Sequence, residues 1–501
     1  MPARTTPDPG APGGAAPGDT AQVRDAPGDT AQAHTASGDT ASPRTHRRPR
    51  ATGTATGGAP VGARHIAPLD GLRGLAVSGV LLFHAGQFGG GFLGVDLFFV
   101  LSGFLITGLL LKETRAAGGR VDLAAFWGRR ARRLLPALAV TVAGTLVLVW
   151  SFGTPTLLRN ALDDAPWVTA NLANWHFITE QIGYWNAADT RVFSHLWSIA
   201  VEEQFYLLWP VVVAVAARGR KGERRVAALA AAGAVLSLAL MIAFTEPADT
   251  TRVYEGTDTR AFSLLLGALV ATAPVTRFLA GLLTRVGERA TASISVVLVC
   301  GIGVYWGTAD GQHAPSLFQG GLFLHALTAA LLIACLAHAP RTPVGRTLAF
   351  GPLRRLGRLS YSLYLWHWPV YLLLDEERLG MTGRQRTGVV IAVSLAAAWL
   401  TRVLVEDPVR FRARWAKGRA GAAALLAVVA ALAALWTLIP VPRTGAGSVD
   451  VTRLAPAEGT QGTQRTQGVQ GLQGTQTSRG SAEIVLDAEN GEHLLPAMVN
   501  V

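Results

Sequence analysis

From residue 66 onward the chain alternates long apolar runs with shorter polar connections. Eleven runs stand out: 66–87, 91–111, 134–153, 195–217, 225–245, 260–275, 291–308, 319–338, 357–374, 387–405 and 420–440. Each approaches the roughly 20 residues a helix needs to cross a bilayer, the sixth being short. Backbone groups left unpaired in hydrocarbon are so costly that such runs must be helical. The pattern predicts an all-α fold: a polytopic membrane helix bundle of about 11 transmembrane helices.

The flanks read differently. Residues 1–65 are rich in Gly, Ala, Pro, Thr and Arg and carry a decapeptide repeat, GDTAQVRDAP, GDTAQAHTAS and GDTASPRTHR. The basic stretch His46–Arg50 at their end reads as a solvated tail more simply than as a lipid contact. Residues 442–501 are rich in Gly, Thr and Gln, with the triplets GTQ GTQ RTQ GVQ GLQ GTQ over Gly459–Gln476. Arg465 interrupts the glycine register and no proline occurs there, so collagen is a poor reading and a flexible tail the better one. Neither flank has the large apolar residues a core needs, and both are expected to be disordered. The expected division is a cytoplasmic arm 1–65, a membrane domain 66–412, an eleventh transmembrane helix in 413–441 and a low-complexity tail 442–501.

Composition agrees with the pattern. Half of the 501 residues are hydrophobic and only 16% are charged, where a soluble chain carries about 25%. The net charge of +12 could point to nucleic acid. The basic residues, however, fall in alternate connections. One set holds Arg129, Arg130, Arg132 and Arg133, then Arg218, Arg220, Lys221, Arg224 and Arg225, then Arg277, Arg285 and Arg289. It continues with Arg341, Arg346, Arg354, Arg355 and Arg358, and ends with Arg410, Arg412, Arg414, Lys417 and Arg419. That alternation excludes nucleic acid as the explanation and places this set and the N-terminal arm in the cytoplasm, with the C-terminal tail outside a cell membrane. The N-terminus shows no cleavable leader. The two cysteines, Cys300 and Cys335, lie in apolar runs, and no zinc motif, P-loop or G-x-S-x-G elbow occurs, so no metal is expected.

Several polar residues lie where they are costly. Arg73 and His84 fall in the first run, eleven residues apart. On a helix that puts them on one face, roughly 16 Å apart along the axis. His84 is a candidate general base, or a hydrogen-bonded packing residue. Asp96, at the start of the second run, either orients His84 as carboxylates do in hydrolase triads or caps its own helix. Gly94 and Gly103 allow close helix packing. Before the third run, FWGRRARRLLPAL contains two interleaved R-x-x-R pairs, Arg129/Arg132 and Arg130/Arg133. Each pair can clamp a phosphate, although taken alone they read more simply as topology. Glu202 and Glu203 sit inside HLWSIAVEEQFYLLWP with His195 and Ser198. Adjacent residues point about 100° apart, so only one can easily serve a given site. Asp258 and Arg260 mark the outer mouth of the sixth run. Ser360, Tyr364 and His367 share a stripe on the ninth, where Trp366 and Trp368 make an outer-interface reading of His367 the simpler one.

Taken in order, the motifs resemble the acyltransferase-3 family of integral membrane O-acyltransferases. The match is carried by LDGLRGLAVSGVLLFH, FLGVDLFFVLSGFLIT, FWGRRARRLLPAL, HLWSIAVEEQFYLLWP, TDTRAFSLLLGALV, RLSYSLYLWHWPV and VEDPVR, within residues 66–412. The resemblance implies transfer of an acetyl or other short acyl group from cytoplasmic acyl-CoA, a co-substrate rather than a bound cofactor. The acceptor would be a hydroxyl of an envelope carbohydrate or glycolipid, or of a secreted small molecule such as an antibiotic. It implies that the family's Arg-x10-His falls on Arg73 and His84, with the histidine essential. Its R-x-x-R falls on Arg130 and Arg133 at the donor, and its glutamate on Glu203 or Glu202. Members that modify envelope polymers often carry an external SGNH-type domain, which is not expected in this tail. The expected mechanism has His84 deprotonating the acceptor, Arg73 positioning the donor, and Asp96 or Glu203 orienting the base. His195, Ser198, Asp258, Arg260, Ser360, Tyr364 and His367 are candidates for substrate binding. Two other classes compete. Buried ionisable residues also mark transporters or flippases, but no repeat between halves is visible. A structural anchor would leave the intramembrane Arg, His and Glu unexplained.

Overall fold

In the computed structural model the described residues are 66–442, apart from 184–189, 247–248, 310, 312–313, 414 and 417. The repeats, the triplets, Arg414 and Lys417 lie outside the described residues. Among the described residues the chain is helical and contains no strand. The first helices are α1 (Ala67–His84), α2 (Gly94–Ala116), α3 (Leu123–Phe152), α4 (Pro155–Thr169), α5 (Ala173–Thr179) and α6 (Trp197–Ala216). Then come α7 (Gly222–Ala243), α8 (Thr251–Glu255), α9 (Thr257–Ala271), α10 (Ala273–Thr308) and α11 (Gly321–His338). The last are α12 (Pro343–Leu348), α13 (Gly351–Leu373), α14 (Glu376–Leu379), α15 (Gly383–Thr401) and α16 (Gly418–Leu438).

Among the described residues eight helical segments are long and apolar enough to cross a membrane, against the eleven expected: Gly89–Ala116, Leu123–Phe152, Ser194–Ala216, Gly222–Ala243, Ala273–Thr308, Gly321–His338, Gly383–Arg412 and Gly418–Leu438. The three expected spans that fall short are α1, α9 and α13. The physical reason is local: α1 holds Asp70, Arg73 and His84, α13 holds three arginines and a histidine, and α9 has 15 residues. Two of these helices, α1 and α13, carry Arg73, His84, Ser360, Tyr364 and His367 of the candidate site. All three are packed among other helices, α1 along α13 and α9 between α2 and α7, so they need not be apolar all round.

Two boundaries moved. The third run was expected to begin at residue 134, but α3 begins at Leu123, because Asp122 caps it by accepting from the Ala125 amide at 2.9 Å. The four arginines therefore stand on the helix itself rather than before it. Likewise α10 extends the seventh run back to Ala273 through the basic connection. It bends at Gly287, whose φ of +85° is open to glycine at little steric cost. Helices α4 and α5 fill a connection for which the apolar pattern carried no expectation.

Close crossings depend on glycine. A Cβ on Gly357 of α13 would lie 1.7 Å from the Asp70 carbonyl oxygen of α1, and one on Gly103 of α2 would lie 1.8 Å from that of Leu264 in α9. Any side chain at either position would force the helices apart. Arg115, at the end of α2, forms a bidentate pair with Glu223 of α7 at 2.6 and 2.9 Å, and Glu223 also accepts from the Ala273 amide at the start of α10. Three connections thus meet on one face, which also bears the arginines of α3 and is called here the basic face. Helix α16 leans on α3 and α4 with no residue buried.

Candidate active site

The ends of α1 carry two linked constellations. Near the basic face, Arg73 lines a narrow cavity of about 30 Å³, room for a water or two. Ser198 and Glu202 of α6 and Ser360, Tyr361 and Tyr364 of α13 complete its polar wall, with Phe98 and Phe99 opposite. The Arg73 guanidinium rests 5.5 Å from the Phe98 ring centroid. It also lies within electrostatic reach of Arg133 and Glu202. Glu202 accepts hydrogen bonds from the hydroxyls of Ser102 and Tyr206. Glu203 does not line the cavity, although both glutamates lie within electrostatic reach of Arg130.

The four arginines of α3 also divide. Arg129 is spent on an ion pair with Glu113, and Arg132 donates to the Ala416 carbonyl at 3.2 Å. Arg130 turns inward over Tyr206, 5.5 Å from its ring centroid, and interacts with Arg133 and Glu202. The structure therefore brings the Arg130/Arg133 pair to Arg73 and Glu202 and leaves the other pair tied elsewhere.

At the far end of α1, His84 meets His367, with His367 Nε2 3.3 Å from His84 Nδ1. His367 is 3% exposed, so the interface reading of this residue is corrected: it faces the bundle interior. The tautomers follow from the carbonyls. His367 Nδ1–H donates to the Tyr364 carbonyl at 2.6 Å, and His84 Nδ1–H donates to the Val80 carbonyl at 3.0 Å. His84 then carries its basic lone pair on Nε2. Trp368 lies against the His84 ring at 4.6 Å.

Between the two ends runs a connected track. Tyr364 donates to the His195 carbonyl at 2.9 Å and shares a 2.6 Å hydrogen bond with Ser198. The His195 ring stands edge-on to His367 at 5.2 Å, its Nε2–H donates to the Leu365 carbonyl, and its buried Nδ1 has no partner. The Ser360 hydroxyl is likewise buried and unpaired.

Three expected site residues stand apart from this track. Asp96 neither caps α2 nor meets His84. Its carboxylate accepts from Arg260 at 2.7 Å and Ser263 at 2.9 Å, in a fully buried pair. Arg260 is thus below the surface rather than at the mouth, and only Asp258 is peripheral, paired with Arg252 at 2.6 Å. Sequence reasoning missed Ser102 and Tyr206, and read Trp368 only as a marker of the membrane interface. Tyr206 was detectable, four residues from Glu202 and hence on its face. Ser102 was not, since only the crossing of α2 and α6 brings it there.

The acyltransferase-3 family profile, described as an acyltransferase domain, matches residues 66–403. The chain belongs to the acyltransferase-3 family. Similar members include the peptidoglycan O-acetyltransferase OatA of Listeria monocytogenes, 33% identical over 69% of this chain and 56% of the relative. The O-acetyltransferase OatA of Staphylococcus aureus is 33% identical over 69% of this chain and 57% of its own length. The Bacillus subtilis protein YrhL, whose name assigns it provisionally to peptidoglycan O-acetylation, is 37% identical over 69% of this chain and 55% of its own. The chain thus matches little more than half the length of these relatives. No solved structure matches it.

The division between the glutamates has a direct check. Glu202→Gln should leave the hydrogen bonds of Ser102 and Tyr206 neutral, worth about 0.5–1.5 kcal/mol each in place of about 1.5–3. Acyl transfer should fall about 10–100-fold. Glu203→Gln should retain most of the activity, and equal losses in the two variants would refute the assignment.

Proposed function

We propose that this protein is a multi-pass membrane O-acyltransferase that moves an acetyl or other short acyl group from acyl-CoA to a hydroxyl of an envelope carbohydrate, peptidoglycan being the first candidate. The observation that carries this reading is the polar track joining Arg73, Glu202 and the Arg130/Arg133 pair at the basic face to His84, His195 and His367 at the other end of α1. In this reading the basic face and the N-terminus are cytoplasmic, the C-terminal tail is external, and α1, α9 and α13 complete eleven spans of the cell membrane.

The chemistry follows from the residues. Arg130 and Arg133 hold the phosphates of acyl-CoA through charge-assisted hydrogen bonds. The pantetheine arm passes through the cavity beside Arg73, which positions the donor so that its thioester reaches His84 at the far end of α1. The helices part to admit it, since a cavity of about 30 Å³ is far smaller than the arm. His84 Nε2 takes the proton of the acceptor hydroxyl as its oxygen attacks the thioester carbon. The C–O bond forms, the C–S bond breaks, and the proton passes to the CoA thiolate. Asp96 is left out of this mechanism, being committed to Arg260.

Purified protein in proteoliposomes, given labelled acetyl-CoA and peptidoglycan fragments, should place label covalently on the fragments. Arg130→Gln should raise the KM for acetyl-CoA about tenfold or more, the loss of one charged hydrogen bond. Arg129→Gln, which breaks an exposed pair, should change it by no more than a few-fold. A flippase would instead move fragments across the bilayer without acylating them.

A further inference from the structure

Outside the track, Asp163 and Asp164 of α4 and His176 of α5 bring their ligand atoms within 4.8 Å of one another. We propose that Asp163, Asp164 and His176 form a binding site for a divalent transition-metal ion such as zinc. His176 Nε2 lies 3.4 Å from Asp164 Oδ1 and 3.7 Å from Asp163 Oδ2. Ligand atoms bound tetrahedrally at the usual 2.0–2.2 Å from zinc are separated by about 3.4 Å.

The second observation is independent of the clustering. Asp164 Oδ2 and His176 Nε2 are buried and make no hydrogen bond, although their side chains are only 0% and 5% exposed. The buried carboxylate oxygen has no hydrogen bond and the buried imidazole nitrogen has only long contacts, the nearer at 3.4 Å to Asp164 Oδ1, so both cost free energy unless something binds them. Arg191 already serves Asp164 Oδ1 and stands 3.8 Å from Asp163 Oδ2, so a cation must settle on the His176 side. Such an outer partner on a ligating carboxylate is usual at metal sites. Trp167 stacks on the His176 ring at 5.2 Å and holds it in place. Asp163, with a side chain 59% exposed, opens the site to solvent.

The site is mechanically joined to the track. The Arg191 carbonyl accepts from the Trp368 indole at 3.1 Å, and Trp368 lies against His84. Asn160 of α4 holds the adjacent Thr190 carbonyl at 3.0 Å. A bound ion would therefore brace the segment that supports the wall behind His84.

The full-length protein, purified in detergent, treated with chelator and titrated with Zn²⁺ in a calorimeter, tests this without reference to acyl transfer. One Zn²⁺ should bind per chain, with quenching of tryptophan fluorescence. Arg191→Gln should weaken binding about 10–100-fold, Asp163→Asn at least as much, and His176→Ala should eliminate it. Asp163→Asn changes an exposed side chain, so it keeps the test valid if the buried variants fail to fold. Absence of saturable Zn²⁺ binding by the wild-type protein would overturn the proposal. So would wild-type affinity in Asp163→Asn.

Discussion

Replacing His84 with alanine should abolish acyl transfer and leave the protein inserted and folded. His84 is the only group on the track that combines a basic lone pair, set on Nε2 by the Val80 carbonyl, with a place at the end of α1 remote from the basic face. General-base catalysis contributes about 10²–10⁴-fold, so the loss should reach at least the lower figure. The side chain is only partly buried and its carbonyl bond is local, within one turn of α1, so stability should change little. Transfer of label from acetyl-CoA, measured beside the thermal unfolding midpoint, checks both statements. Turnover near the wild-type rate would remove His84 from the mechanism. His367, whose Nε2 lies 3.3 Å from His84 Nδ1, is a positioning residue. Its alanine variant should lower the rate less and alter the pH profile, because the base would lose a neighbour that shapes its basicity.

The second large effect concerns stability. Asp96→Ala should destabilise the bundle by about 3–5 kcal/mol, the usual cost of leaving one partner of a buried ion pair uncompensated. Both residues of the Asp96–Arg260 pair are fully buried. The guanidinium is ringed by Phe99, Trp197 and Tyr254, with centroids at 5.9, 5.6 and 4.8 Å, and its Nε and Nη1 have no other hydrogen-bond partner. Without the carboxylate that charge has no relief inside the bundle. The double variant Asp96→Leu/Arg260→Met should recover most of the loss, because apolar replacement of a whole buried pair is often neutral or better. Thermal unfolding in detergent measures both. An Asp96→Ala protein of undiminished stability and strongly reduced turnover would return Asp96 to the catalytic machinery, where it was first expected.

Those two residues show how differently the candidate site was legible. Arg73 and His84 lie in one helix, and eleven residues of helix geometry already place them on one face. Asp96 and His84 lie on different helices. A short connection joins α1 to α2, but closeness along the chain does not specify direction, and rotation of α2 aims Asp96 at α9. The same limit applied to His367. Flanking tryptophans are the mark of a membrane interface, and nothing local distinguishes an interface histidine from one that α1 covers. The adjacent glutamates were the converse case. The angle between neighbours required that they differ, and only the path of α2 and α3 past α6 selects Glu202.

By itself the sequence determined the helical class, the alternation of basic connections, the family, and the polar residues that a membrane span would not carry without cause. These are local or compositional properties, read from periodicity, hydropathy and motif spacing along one segment at a time. The tertiary structure alone decided which polar side chains meet: Asp96 with Arg260, Arg129 with Glu113, His84 with His367, and Asp164 with Arg191. Such pairings depend on how helices far apart in the chain are rotated against one another. That rotation is set by packing across many contacts, including the close approach at Gly357 and Gly103, and no single segment encodes it.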